Sequence, residues 1–350
     1  MTRRALVFLV ALPALAQLPA GQIAAIESFV SAEMAREGIP GGSLAVAVNG
    51  RLQYSNGFGF SDVENQVPAK AATVYRLASI SKPVTATAVM QLAERGKIDL
   101  DADVRKYVPA FPRKQWTVTV RQLLSHLGGI RHYRDVAEAN HALHFENLTE
   151  ALRLFKDDPL LFEPGTRSSY STYGFNLLGC AVEAASGMPF VDYLRTHIFA
   201  PARMDTMRDD SVHDIIPNRA QGYRKAGGVL QNSPLADTSG KIPGGGLCST
   251  AADLARFGIA LQSGALLRED TLAKMWTESR TREGKGAGYG LGWSIGQWKT
   301  LKLVSHGGGQ ARVATMLWLI PERRFALAWM CNLEGSRAGI PNRVAEIVLE

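Results

Sequence analysis

Strand patterns at both ends of this chain, with helical patterns between them, limit its fold more than any other feature. Near the N-terminus, Ser43 to Val48 and Leu52 to Tyr54 flank Asn49-Gly50, a pair suited to the positive φ angles of a tight hairpin. Near the C-terminus, Leu301 to Val304, Val313 to Leu319 and Phe325 to Met330 are strand-like, the last two joined by a turn at Pro321-Glu322. Ile23, Ile26, Phe29, Val30 and Met34 recur at helical spacing before Gly38. The middle reads as helices and long loops, with helices after Ser79 and over Val120 to Leu124, Leu148 to Phe155, Tyr173 to Ser186 and Phe190 to Ile198. A chain ordered this way predicts an α+β fold: one antiparallel sheet built from both chain ends, flanked by helices, with a helical lobe inserted. The expected division is a single domain over residues 17–350. Its sheet lobe spans about 23–75 and 237–350, its helical lobe about 76–236, and a catalytic cleft lies between them.

Residues 1–16 read as an export signal. Arg3 and Arg4 precede an apolar run from Ala5 to Leu15, and Ala14-Leu15-Ala16 supplies a small-x-small cleavage site. The run is too short to span a bilayer, so a periplasmic or extracellular protein without integral membrane association is expected. The formal net charge is +7; removing Arg3 and Arg4 leaves +5. These charges are scattered, and no Lys/Arg block with interleaved aromatics forms a nucleic-acid groove. Cys180, Cys248 and Cys331 are odd in number and sit among apolar or small residues, which points to buried free thiols.

Chemistry first surfaces at Ser79-Ile80-Ser81-Lys82. Positions i and i+3 share one helix face, so the Ser79 hydroxyl and the Lys82 amine can meet in a cleft, with Pro83 fitting the first turn and Gly96 stopping the helix. A desolvated lysine can take the serine's proton, the activation that nucleophilic catalysis needs. Tyr170-Ser171-Thr172 stands just before a helix, where Tyr170 can project into the cleft; a phenol near a lysine is expected to have its pKa lowered and to share proton transfer. His306-Gly307-Gly308-Gly309 follows a strand, and its glycines admit close backbone approach. The Gly309 N–H can join that of Ser79 as an oxyanion hole. Gly244-Gly245-Gly246 leads to Thr250 and Asp253, a helix-capping pattern, and is read as structural.

The order Ser79-x-x-Lys82, Tyr170-Ser171-Thr172, His306-Gly307-Gly308 resembles the three motifs of class C beta-lactamase-like serine hydrolases. That family includes beta-lactamases, D-Ala-D-Ala carboxypeptidases, D-aminopeptidases and esterases on the penicillin-binding fold. Tyr75 to Ala78, Leu123 to Ile130, Gly179 to Gly187, Pro201 to Met204 and Gly244 to Thr250 agree with it, and the resemblance covers roughly residues 23 to 345. Ser125 to Tyr133 and Tyr170 to Gly174 look most like the mitochondrial serine beta-lactamase-like branch and its bacterial relatives. The resemblance implies Ser79 as the acylated nucleophile, Lys82 as its base, Tyr170 as proton shuttle, Ser79 and Gly309 as oxyanion donors, and Thr172, His306, Gly307 and Gly308 on the substrate side. It calls for no metal and no cofactor.

Two departures shape the expected substrate. Many penicillin-recognising members carry Lys where His306 stands, and a histidine is mostly neutral at pH 7. Thr172 replaces an Asn whose amide would hold a substrate carbonyl. Peptide, amide or ester substrates are therefore expected ahead of a true beta-lactamase or D-Ala-D-Ala carboxypeptidase activity. A non-catalytic binding or self-assembling protein on the same fold is the non-enzyme alternative. A metal hydrolase would draw on His126, His132, His141 and His144, but no HExxH occurs and no acidic partner stands at characteristic spacing. The sequence assigns no oligomeric state.

Overall fold

The computed structural model describes residues 17–350; the export signal expected over residues 1–16 lies outside them. A seven-stranded antiparallel sheet joins the two chain ends, in the order Val67–Pro68, Arg51–Asp62, Gly41–Val48, Phe325–Cys331, Val313–Ile320, Leu301–Gln310, Ser294–Trp298. The decisive pairing is between the first and last long strands, where Leu44 faces Trp329 and Val46 faces Leu327. Asn49 and Gly50 form the expected hairpin turn, both at positive φ (54° and 73°).

Each central strand alternates large and small side chains, because each face meets a different partner. Leu44, Val46, Phe325, Leu327 and Trp329 pack on the terminal helices Ala20–Glu37 and Ile340–Leu349, through Ile26, Val30, Ile340 and Val344. Ala45, Ala47, Ala326 and Ala328 face the other way, toward the helix Ala251–Gln262 and the helical lobe. Small residues there let the helix approach closely: a Cβ on Gly258 would stand 2.5 Å from Leu319 and 2.9 Å from Ala326. With both faces covered, the strands read as nearly continuous apolar runs.

At the centre of the helical lobe is Ser81–Glu94, twelve of whose fourteen residues are buried, packed against Thr172–Ser186. A helix hidden on all sides has no polar stripe to reveal its facing. The span expected to be helical also carries short strands. Tyr75–Arg76 and Arg208–Asp209 flank Leu247–Ser249 in a three-stranded sheet, and Tyr223–Ala226 pairs with Val229–Asn232 as a hairpin. Among the described residues no helix is long and apolar enough to cross a membrane. All three cysteines are buried and free.

Candidate active site

Ser79 sits in the short 3-10 turn Ala78–Ile80, which leads directly into the Ser81–Glu94 helix. The residue before it, Ala78, is held at φ 48°, a left-handed conformation that a side chain normally avoids and that the packing around this turn must stabilise. The turn is thereby bent toward the strand Leu301–Gln310, and Ser79 stays partly accessible between two buried neighbours.

Lys82 is completely buried. Its Nζ lies 3.1 Å from Ser79 Oγ, 3.0 Å from Thr172 Oγ1 and 2.6 Å from the Gly244 carbonyl oxygen. None of these partners is anionic. Burial drives the lysine well below its usual 10.5, and the positive field of Lys241 adds to the shift. A neutral amine fits the three contacts: it donates one proton to the carbonyl and one to Thr172, and its lone pair faces the Ser79 hydroxyl. Gly244 must be glycine here, since a Cβ would stand 2.5 Å from the Thr172 methyl and 2.9 Å from the Thr172 carbonyl.

Each residue of Tyr170-Ser171-Thr172 has its own local task. Ser171 caps the helix Thr172–Ser186, its hydroxyl accepting the Gly174 N–H at 3.0 Å and donating to the Arg131 carbonyl at 2.7 Å. The Ser171 and Thr172 N–H groups donate to Nδ1 of His126 and of His132, each at 3.2 Å. Both histidines must therefore be neutral: burial holds His126 well below its usual 6.5, and burial with the field of Lys82 brings His132 to about 4. Thr172, expected on the substrate side, is buried and turned to Lys82 instead. Tyr170 borders Ser79, its ring centre 4.7 Å from Lys82 Nζ and 4.3 Å from the His126 ring. The expected lowering of its pKa does not occur. Although Tyr170 exposes 37 % of its surface, burial pushes the phenol above its usual range, with the Ser79 hydroxyl acting the other way.

The glycine run extends the last-but-two strand instead of following it. Leu301–Gln310 keeps pairing with Val313–Ile320 through Gly309, while its pairing with Ser294–Trp298 ends at Ser305. The freed edge from His306 onward meets the Ser79 turn. A Cβ on Gly308 would stand 2.3 Å from the Leu77 carbonyl and 2.2 Å from Thr315 Oγ1, so only glycine permits this approach. Gly309 is exposed beside Ser79's turn, with open space where a side chain would be.

His306 is buried rather than open to a substrate. Its Nδ1 donates to the Gly307 carbonyl at 2.7 Å, which leaves Nε2 to accept from the Tyr289 hydroxyl at 2.8 Å. Burial, reinforced by Lys82, lowers it to about 3, so it is a neutral support for Tyr289 and not a cation. The sequence reading passes over Tyr289, takes Gly244 as structural and considers His126 only as a metal ligand. The only signals were the glycines flanking Tyr289 and the glycine runs near His126 and Gly244.

The beta-lactamase family profile matches residues 26–349. This chain belongs to the beta-lactamase family. It is 32 % identical to the mitochondrial serine beta-lactamase-like protein LACTB of Homo sapiens over 89 % of this chain and 76 % of that protein. The octameric penicillin-binding protein homologue from Pyrococcus abyssi superposes with a TM-score of 0.79 at 28 % identity, covering 93 % of this chain and 77 % of that one. The D-amino acid amidase from Ochrobactrum anthropi SV3 superposes with a TM-score of 0.80 at 25 % identity, covering 94 % and 97 %. The beta-lactamase and transpeptidase-like fold is thus the one expected from the motifs, and it is the serine-hydrolase fold of penicillin-binding proteins, amidases and esterases.

Proposed function

We propose that this chain is an exported serine hydrolase that cleaves peptide, amide or ester bonds through an acyl-enzyme on Ser79. One observation carries the reading: a fully buried lysine with only neutral partners sits 3.1 Å from the serine hydroxyl. In the acylation step Lys82 Nζ takes the Ser79 proton as Oγ attacks the substrate carbonyl carbon. The Ser79 and Gly309 N–H groups hold the oxyanion, an interaction whose loss typically costs about 100- to 1,000-fold. Tyr170, kept in its protonated form, relays a proton to the leaving group as the tetrahedral intermediate collapses. Water then attacks the ester carbon and Ser79 recovers its proton.

Thr172 and Gly244 act through Lys82 by fixing its rotamer, and His306 acts through Tyr289 by shaping the cleft wall. Gly308 keeps the strand bare so that it can close on the Ser79 turn, and the Gly307 carbonyl holds His306. The neutral, buried His306 provides no fixed cation for a penicillin carboxylate, which favours peptides, amides and esters over beta-lactams. Similarity to D-amino acid amidase supports the amide class. Export rests on Arg3, Arg4 and the apolar run before Ala16; a secreted form beginning at Gln17 by intact mass would support it.

A panel of p-nitrophenyl esters, D-amino-acid amides, small L-peptides and nitrocefin, each run against Ser79→Ala, tests the reading. Turnover of an ester or amide that Ser79→Ala abolishes is expected. Rapid nitrocefin hydrolysis would overturn the substrate argument from His306, and inertness to the whole panel would favour a binding or self-assembling protein on this fold.

A further inference from the structure

A cluster outside the hydrolytic centre brings together three metal-binding side chains from segments far apart in sequence. His144, His213 and Asp237 each offer one donor atom, and these atoms lie within 4.8 Å of one another. His144 Nδ1 meets Asp237 Oδ2 at 2.8 Å, and the His144 and His213 rings stand 4.9 Å apart, nearly perpendicular. We propose that His144, His213 and Asp237 form a binding site for a divalent transition metal, zinc in particular, next to the loop that holds the catalytic lysine.

Chemistry and surroundings both fit. Two imidazoles and one carboxylate are a donor set that zinc accepts, with a fourth position left to water. At zinc's bond lengths of about 2.0–2.2 Å, tetrahedral donors stand about 3.3 Å apart. The cluster must therefore tighten by about 1.5 Å at its widest, which the exposed side chains of His144 and His213 allow by rotation. Asp237 is buried and already oriented, because its other oxygen accepts the Ser239 N–H at 2.7 Å. A second shell of this kind fixes a ligating carboxylate before the ion arrives. His144 and Asp237 line a cavity of about 190 Å³ that Glu146, Asp209 and Asp210 also border. Of these, Asp210 is paired with Arg76 and Arg219.

The fold also supplies the closure. The Thr238 hydroxyl donates to the Asp210 carbonyl at 3.0 Å, tying the strand end that leads to His213 against the segment carrying Asp237. Zinc entry replaces the His144 to Asp237 hydrogen bond, and the neutral imidazole keeps its one N–H on the ring nitrogen that does not ligate. The ion then clamps three segments, one of which runs from Asp237 to Gly244, the acceptor of Lys82. The site is independent of whether Ser79 turns over a substrate.

Equilibrium dialysis of zinc against the chelator-treated full chain tests it. One tightly held zinc per chain is expected, weakened at least tenfold in His213→Ala and in His144→Ala, and unchanged in His141→Ala. Zinc should raise the thermal midpoint of the wild type and leave that of His213→Ala unmoved. The exposed position of His213 keeps that variant folded, which equal midpoints without metal will verify. Zinc bound equally by wild type and His213→Ala, weakened by His141→Ala, or absent from the wild type, overturns the site.

Discussion

Two lysines are buried in this protein about as deeply as lysines can be, and their surroundings differ in kind. Lys82 is enclosed by a hydroxyl pair and a carbonyl, with neutral His126, His132 and His306 around it. Lys241 bonds the Ala139 carbonyl and lies over the Tyr133 ring, but it stands within the field of Asp210 and Asp237. Burial and Arg76 lower Lys241, those carboxylates resist, and it settles at about 8. Lys82 has no such counterweight and falls much further. Burial without a carboxylate nearby thus lowers a lysine furthest, whereas burial among anions preserves more of its charge. The two regions cooperate, because the charge on Lys241 helps to discharge Lys82.

Each half of this contrast can be broken separately. The largest effect is expected from Lys82→Ala, which removes the proposed base: acylation by a fluorophosphonate should slow by roughly 100- to 10,000-fold, and near-normal labelling would remove the lysine from the mechanism. In the charged region, Asp210→Ala leaves the buried Arg76 and the neighbouring Arg219 without their carboxylate, at a cost of about 3–5 kcal/mol. Urea unfolding will read this directly, and a loss under 1 kcal/mol would mean that water reaches the arginines.

Acid should attack the neutral pocket first. His306 is neutral in the native state down to about pH 3 but takes up a proton below 6.5 when unfolded. Unfolding is therefore favoured progressively as pH falls through that window, by about 2 kcal/mol at pH 5 for this residue. His306→Gln should shrink the difference in stability between pH 7 and pH 5 by about that amount. An unchanged difference would show that water reaches the ring. A smaller effect, roughly tenfold on kcat, is expected from Thr172→Val, which strips one partner from the buried amine while keeping its shape. The smallest is Lys241→Met. Without its neighbour's charge Lys82 should bind a proton more readily, so the acid limb of kcat/KM should move to higher pH; movement to lower pH would contradict the coupling.

Features encoded within a few residues were legible from sequence. The Ser79 and Lys82 spacing, the Asn49-Gly50 hairpin and the helix that opens at Thr172 all follow from local rules, and strands at both ends implied the shared sheet. What was hidden depends on distant partners. Thr172 reaches Lys82 across 90 residues and Gly244 across 162, and no periodicity announces such contacts. The glycines after His306 resemble a turn, yet they are a strand stripped of side chains so that the Ser79 turn can press against it. Two- and three-residue strands such as Tyr75–Arg76 are too short to show alternation. The rise in the Tyr170 pKa was missed because proximity to lysine lowers a phenol only when that lysine is charged.

Whether Lys82 is neutral when it meets Ser79 is the claim on which the chemistry rests. The rate of single-adduct formation with a fluorophosphonate, followed by intact mass from pH 4 to pH 11 in the wild type and in Ser79→Ala, addresses it most directly. The account predicts one adduct, absent in Ser79→Ala, whose rate reaches its plateau at a pH well below 10.5. A rate that keeps climbing to an inflection near 10.5 would mean an ordinary charged lysine beside the serine, and would contradict the account.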